Sequence, residues 1–175
     1  MEKFIVLGTG CFWCSEAAFS MFDGVISVIP GYAGGTVENP TYKEVCTDKT
    51  GHAEVVKIIY DDNKIDLNRI LNIFIKMHDP TSLNRQGNDV GTQYRSIIFY
   101  NSDDEKNLIE NFLKEQQKNY RKTIVTEVKR FDKFYEAENY HHNYFQNNQS
   151  NPYCEFVIRP EVNNIADEFK TYLKK

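Results

Sequence analysis

The sequence predicts an α+β protein with a ferredoxin-like β-α-β-β-α-β core, a two-layer α/β sandwich that carries additional elements at its C-terminal end. Three observations lead there. The first six periodic segments come in that order, and the length of 175 residues (20.5 kDa) suits one domain over 1–175 with a core of its own. No apolar run approaches the roughly 18 residues that a membrane span needs.

Lys3 to Leu7 reads as the first strand, ended by Gly8-Thr9-Gly10. A helix follows from Cys14 to Phe22, with Phe19 and Phe22 at core spacing and Asp23-Gly24 closing it. Val25 to Ile29 is the second strand, and a loop rich in turn residues runs from Pro30 to Pro40. Ala53 to Tyr60 is the third strand. Asp66 is suited to cap a helix whose apolar face is Leu67, Ile70, Leu71, Phe74 and Met77, with Pro80 stopping it. Asp79 to Gln93 has no periodicity, and a loop of that length in a compact domain is uncommon unless it is functional or disordered. Tyr94 to Tyr100 resumes as a strand, and the Ser102-x-x-Glu105 capping box opens a helix with Leu108, Ile109, Phe112 and Leu113 on one face. Ile124 to Val128 reads as a further strand, Asn143 to Asn151 as a polar loop, and Val162, Ile165, Ala166, Phe169 and Leu173 as a C-terminal helix.

The balance of 21 Lys+Arg against 25 Asp+Glu gives −4 at pH 7, which argues against a nucleic-acid module held by a basic face. Mean hydropathy is −0.58, and Phe4 to Leu7 is too short for the apolar region of a secretory signal, so no membrane association and a cytoplasmic location are expected. Cys11, Cys14, Cys46 and Cys154 are too few and too unevenly placed for a disulfide framework; clustered cysteines in a reducing compartment point to catalysis, redox chemistry or metal. Pairing Cys11 and Cys14 with His141-His142 as a zinc site fails on spacing, because adjacent histidines point in different directions. Cys46, after Val45 in a short helical stretch, reads as packed.

Cys11 falls where a Gly-rich turn gives way to a helix, a position that favours the thiolate, though a small cysteine can also simply pack. Phe12 and Trp13 follow at once; two large rings at a helix start cannot both face the core, so one or both wall a pocket or else fill the interior. Along the third strand, Glu54, Val56, Ile58 and Tyr60 share one face and Lys57 marks the other as the more solvated. Glu54 then points to the buried side, either protonated and able to donate or paired in a salt bridge. In the long loop, Asp89, Tyr94 and Arg95 either orient a polar substrate or hold the loop together.

Gly10-Cys11-Phe12-Trp13, Gly31-Tyr32-Ala33-Gly34-Gly35, Pro40-Thr41-Tyr42, Thr50-Gly51-His52-Ala53-Glu54, His78-Asp79-Pro80-Thr81, Asn84 to Asp89, and Gly91-Thr92-Gln93-Tyr94-Arg95-Ser96 together resemble the A-type peptide methionine sulfoxide reductases. The match continues over Glu136 to His141 and covers nearly the whole chain. The resemblance implies reduction of the S epimer of methionine sulfoxide, free or in proteins, by a monomer with no metal and no organic cofactor. It implies that Cys11 is the catalytic cysteine, that Phe12 and Trp13 hold the substrate methyl group, and that Tyr42, Glu54, Asp89 and Tyr94 surround the sulfoxide oxygen. Thioredoxin or an equivalent reductant would restore the enzyme.

Two departures from the family pattern concern recycling. Many members have Gly where this chain has Cys14, and many end in a Gly-rich tail with recycling cysteines where this chain has only Cys154. Cys154 matches a recycling position, and its Pro-containing setting after a polar stretch suits a mobile arm. If Cys11 and Cys14 lie on consecutive helical turns, their side chains point poorly for a disulfide, so Cys154 is the expected resolving thiol and Cys14 the alternative. A thioredoxin-like C-x-x-C oxidoreductase, and a module that binds oxidised methionine without reducing it, are the competing readings.

Overall fold

The computed structural model describes residues 1–175. Strands β1 (Glu2–Gly8), β2 (Val25–Ala33) and β3 (Ala53–Asp61) alternate with helices α1 (Phe12–Phe19), α2 (Tyr42–Val45) and α3 (Leu67–Met77). A short hairpin, β4 (Arg85–Gln86) with β5 (Asp89–Val90), and a 3-10 turn at Thr92–Tyr94 lead to β6 (Ile97–Tyr100). Then come α4 (Asp103–Gln117), β7 (Glu127–Arg130), β8 (Phe134–Glu136), α5 (Tyr144–Asn147), a π-helical turn at Cys154–Ile158 and α6 (Arg159–Glu168).

The main sheet has the order β7-β6-β1-β3-β2-β8. Its middle four strands, β6-β1-β3-β2, pair antiparallel throughout, which is the predicted split β-α-β arrangement. β7 adds parallel to β6 and β8 antiparallel to β2 at the two edges. Gly31 admits β8: a Cβ there would run into the Phe134 ring and the Tyr135 carbonyl. No helix is long and apolar enough to cross a membrane.

Strand parity divides the core. Val56, Ile58 and Tyr60 of β3 pack with Ile5 and Leu7 of β1 and with Ile70, Leu71 and Phe74 of α3 on the helical side. The Lys57 side is less solvated than the alternation suggests, because Ala53 and Val55 are buried with Val6, Ile97 and Phe99, and Phe131 and Phe134 pack against them. The strands that close this face lie in a part of the chain where only Ile124 to Val128 was expected to be extended.

Several boundaries move. α1 begins at Phe12, and Phe22, beyond its end, bridges Leu173. Tyr94 lies in the 3-10 turn and not in a strand, since β6 starts at Ile97. The Asn143 to Asn151 stretch contains α5, whose Tyr144 and Phe145 pack toward α1.

Candidate active site

Gly10 sets the site. Its φ of +115° is open to glycine, and a Cβ would meet the Gln86 side chain at 2.9 Å, so the chain turns tightly and delivers Cys11 to the start of α1. Cys11 is the N-cap, with extended backbone (φ −65°, ψ 124°) and a half-buried side chain that makes no capping bond. The sulfur is therefore free to react. Its first two helical neighbours diverge as expected: Phe12 is 1% exposed in the core, and Trp13 is half-buried.

Glu54 comes from β3 on the face that parity assigned. It is 1% exposed, its Oε1 accepts the Phe12 backbone N–H at 3.2 Å, and its Oε2 has no partner. Burial, then the Cys11 sulfur, holds this carboxyl well above the ordinary glutamate range, against the opposing Phe12 N–H. The salt-bridge alternative is absent: no cation pairs with Glu54. An acid whose unpartnered oxygen keeps its proton beside a free thiol is a proton donor in waiting.

Tyr42 and Tyr94 complete this wall. Tyr42 opens α2, held by the Thr41–Glu44 capping box, and its backbone N–H donates to Glu138 Oε2 at 3.0 Å. The other oxygen of Glu138 accepts the Tyr32 hydroxyl at 2.9 Å. Burial, then the Glu54 charge, pushes both the Tyr42 and the Tyr94 phenols up, so each stays a donor. The Tyr42 ring stacks on Phe12 with centroids 6.5 Å apart and meets His141 at a tilt, 4.5 Å away.

Asp89, in β5, lines a cavity of about 490 Å³ with Cys11, Cys14, His78, Tyr153 and Glu161. Its Oδ2 accepts the Tyr153 hydroxyl at 2.6 Å. A larger cavity of about 750 Å³, around Asp23, Lys64, Arg69 and Tyr172, contains no cysteine, so size does not locate the chemistry. Arg95 belongs to the scaffold: its guanidinium donates to the Thr92 and Gly51 carbonyls, each at 2.9 Å, and pairs with Glu127.

Sequence reasoning missed three aromatic partners of Trp13. His141 Nδ1 accepts the indole N–H at 3.0 Å, so the ring is the Nε2–H tautomer, and burial lowers its pKa and keeps it neutral. Tyr144 stacks on the indole at 3.7 Å, and Tyr153 meets it edge-on at 5.9 Å. Their positions in the polar stretch after Tyr140 hid them. His142 turns elsewhere, to the Ala137 carbonyl, as adjacency requires.

Both premises behind the choice of Cys154 as resolving thiol are corrected. Cys154 is 0% exposed at the start of the π-helical turn, packed with Cys14, Ile158 and Val162, and is no part of a mobile arm. Cys11 is the N-cap with extended backbone and Cys14 the third residue of the first turn, so the two are not a pair of helical residues on consecutive turns. Cys46 is exposed, not packed, because α2 buries only Val45.

The chain is similar to known proteins over almost its whole length. The family model for peptide methionine sulfoxide reductase matches residues 3–173. A peptide methionine sulfoxide reductase MsrA of Saccharolobus solfataricus is 54% identical over 168 residues, covering 96% of this chain and 95% of the relative. The crystal structure of reduced Mxr1 from Saccharomyces cerevisiae superposes with a TM-score of 0.83 at 34% identity, covering 87% of this chain and 89% of that one. Mxr1 in complex with Trx2 shares the fold at a TM-score of 0.59 and 24% identity, over 82% of this chain and 84% of that one. With a family match over almost its full length and a close relative end to end, the chain belongs to the peptide methionine sulfoxide reductase family.

Proposed function

We propose that the protein reduces the S epimer of methionine sulfoxide, free or in polypeptides, to methionine. The observation that carries this is the buried, proton-bearing Glu54 beside the free Cys11 sulfur, with two phenol donors in the same wall. A sulfoxide sulfur is a weak electrophile, and thiolate attack piles negative charge on its oxygen. Glu54 gives that oxygen a proton, and the Tyr42 and Tyr94 hydroxyls hydrogen-bond to it as charge develops. Asp89 orients the polar end of the substrate from the cavity side, and Phe12 with Trp13 takes the methyl group.

In the balanced step, the oxygen moves from the methionine sulfur to Cys11, leaving a thioether and a cysteine sulfenic acid. A second thiol of the chain then forms a disulfide with Cys11 and releases water. Thioredoxin reduces that disulfide, a role supported by the complex of the related Mxr1 with Trx2. No step calls on a cofactor.

The enzyme works as a cytoplasmic monomer. One chain supplies every residue of the site, and cysteine thiols on which turnover depends suit a reducing compartment. The net charge of −4 supports a role away from nucleic acid. Cys11→Ser tests the reading: it should fold normally and release no methionine from the sulfoxide with dithiothreitol as reductant, whereas turnover by this variant would end it.

A further inference from the structure

Under the sulfoxide reductase reading above, Trp13 takes the substrate methyl group and Tyr42 the sulfoxide oxygen, and the two belong to separate elements, α1 and α2. Telling one epimer from the other requires these two walls to keep a fixed relation. One segment touches both: the turn from Glu138 to His141 that follows β8. At its start, Glu138 Oε2 accepts the Tyr42 backbone N–H at 3.0 Å. At its end, His141 Nδ1 accepts the Trp13 indole N–H at 3.0 Å, and the His141 backbone N–H closes the turn by donating to the Glu138 carbonyl at 3.0 Å. The imidazole centroid lies 4.5 Å from that of Tyr42 and 5.0 Å from that of Phe12. On packing grounds a histidine is a poor choice for this place. It is buried, and its Nε2–H has no hydrogen-bond partner, a cost that a phenylalanine ring would not carry. The bond to the indole is what distinguishes histidine there.

We propose that His141 is a positioning residue that locks the Trp13 indole against the Tyr42 wall and thereby sets the preference for one sulfoxide epimer. The proposal rests on the sulfoxide reductase reading above. Tyr144 lies flat on the indole, with centroids 3.7 Å apart and planes 7° from parallel. Such stacking fixes the plane of the indole but resists sliding and rotation within that plane only weakly. The indole N–H lies in the ring plane, so its bond to His141 Nδ1 fixes the direction that stacking leaves free. The lone pair must stay available for this. Burial, against the Glu138 charge, holds the imidazole pKa below its ordinary value, so Nδ1 remains an acceptor at neutral pH. Because His141 is itself anchored in the turn that holds the Tyr42 backbone, moving one wall relative to the other requires breaking this bond or that anchor.

The test compares wild type, His141→Phe, which keeps a ring but loses the acceptor, and His141→Asn, whose side-chain oxygen can take the place of Nδ1. Each is given the separate S and R epimers of methionine sulfoxide with dithiothreitol, and rates are divided by the fraction of enzyme that yields methionine in a single turnover. In His141→Phe, KM for the S epimer should rise by about 10-fold, with kcat changing less, and the S-over-R ratio of kcat/KM should fall by about 10-fold, the scale of one hydrogen bond. His141→Asn should recover most of both. The chain has a single Trp, so tryptophan emission and the indole N–H resonance report Trp13 alone. Both should shift in His141→Phe and return toward wild type in His141→Asn. In the wild type itself, nitrogen NMR of His141 should show a protonated Nε2 and a bare Nδ1, a readout that holds even where His141→Phe does not fold. A protonated Nδ1 overturns the proposal, as does a His141→Phe enzyme with the wild-type epimer ratio and KM, or an Asn variant no closer to wild type than Phe. A loss confined to the active fraction or to Tm makes His141 packing alone and likewise overturns it. Methionine formed by the wild type separates the two levels: with turnover present these results refute only the role of His141, and no methionine refutes the reductase reading with it.

Discussion

Replacing Glu54 with Gln isolates the proton from the shape of the site. The side chain is 1% exposed and its Oε1 is fixed by the Phe12 N–H at 3.2 Å, so the oxygen of the substituted amide takes that place and its NH2 falls where Oε2 was. The NH2 still donates a hydrogen bond to a sulfoxide oxygen but cannot transfer a proton. KM should hold while kcat falls by about 10² to 10⁴, the range that general acid catalysis supplies; this corresponds to about 3–5 kcal/mol of transition-state stabilisation. The pH profile carries a second signature. In the wild type the burst of methionine formation should fall as pH rises through the elevated Glu54 pKa, and in Glu54→Gln this limb should vanish.

Stability must follow the same proton. Between the pKa of an unfolded glutamate, about 4.3, and the raised native value, the folded state holds a proton that the unfolded state has lost. The associated stability is fully present below the unfolded pKa and is lost as pH rises through the folded one, at about 1.4 kcal/mol for each unit of elevation. Glu54→Gln should therefore lose less Tm than the wild type between pH 5 and pH 8. Single-turnover methionine formation and thermal melts across that range are the assays. A variant with unchanged kcat and a raised KM, or one that keeps the wild-type pH limb, refutes the general-acid role.

Removing the Tyr94 hydroxyl with Phe should lower kcat by on the order of 10²-fold with little change in KM, as loss of one donor to a developing oxyanion does, and steady-state kinetics on a peptide sulfoxide decide it. Trp13→Ala removes the indole that His141 and Tyr144 hold in place, so KM for methionine sulfoxide should rise more than kcat falls; an unchanged KM would make the ring packing alone. Gly10→Ala forces a side chain into a φ of +115° and against Gln86 at 2.9 Å. It should cost at least about 1 kcal/mol in denaturant unfolding, and a variant of wild-type stability would mean that the turn before Cys11 relaxes freely.

The sheet was legible because its middle strands carry their own signals. β3 alternates, Asp66 caps α3, and Ser102 caps α4, so local chemistry and tertiary packing agree. Parity alone put Glu54 on the buried face, and the glycines before Cys11 marked it for approach. Tyr42 came only from family likeness, since a phenol one residue past Thr41 has no pattern of its own. What escaped depends on contacts between distant segments. β8 has three residues and exists because β2 offers an edge at Gly31. The stretch from Asn143 to Asn151 looks like a solvated loop because its Asn and Gln residues outnumber the two aromatics, Tyr144 and Phe145, that dock on α1. The same misreading made Cys154 an arm, whereas Ile158 and Val162 beyond it bury the segment. Starting α1 at Cys14 rather than Phe12 missed that Cys11 is the N-cap of that helix, with extended backbone.

The most direct measurement of the central claim supplies the separate S and R epimers of methionine sulfoxide to the wild-type protein with dithiothreitol and quantifies methionine by mass spectrometry. In the proposed arrangement the sulfur's methyl group sits against Phe12 and Trp13 and its oxygen faces Glu54, Tyr42 and Tyr94, so only one hand of the sulfoxide would present its sulfur to the thiolate. Methionine should form from the S epimer and at most in traces from the R epimer, and Cys11→Ser should abolish it. Equal turnover of both epimers, or no methionine from either, would contradict the account.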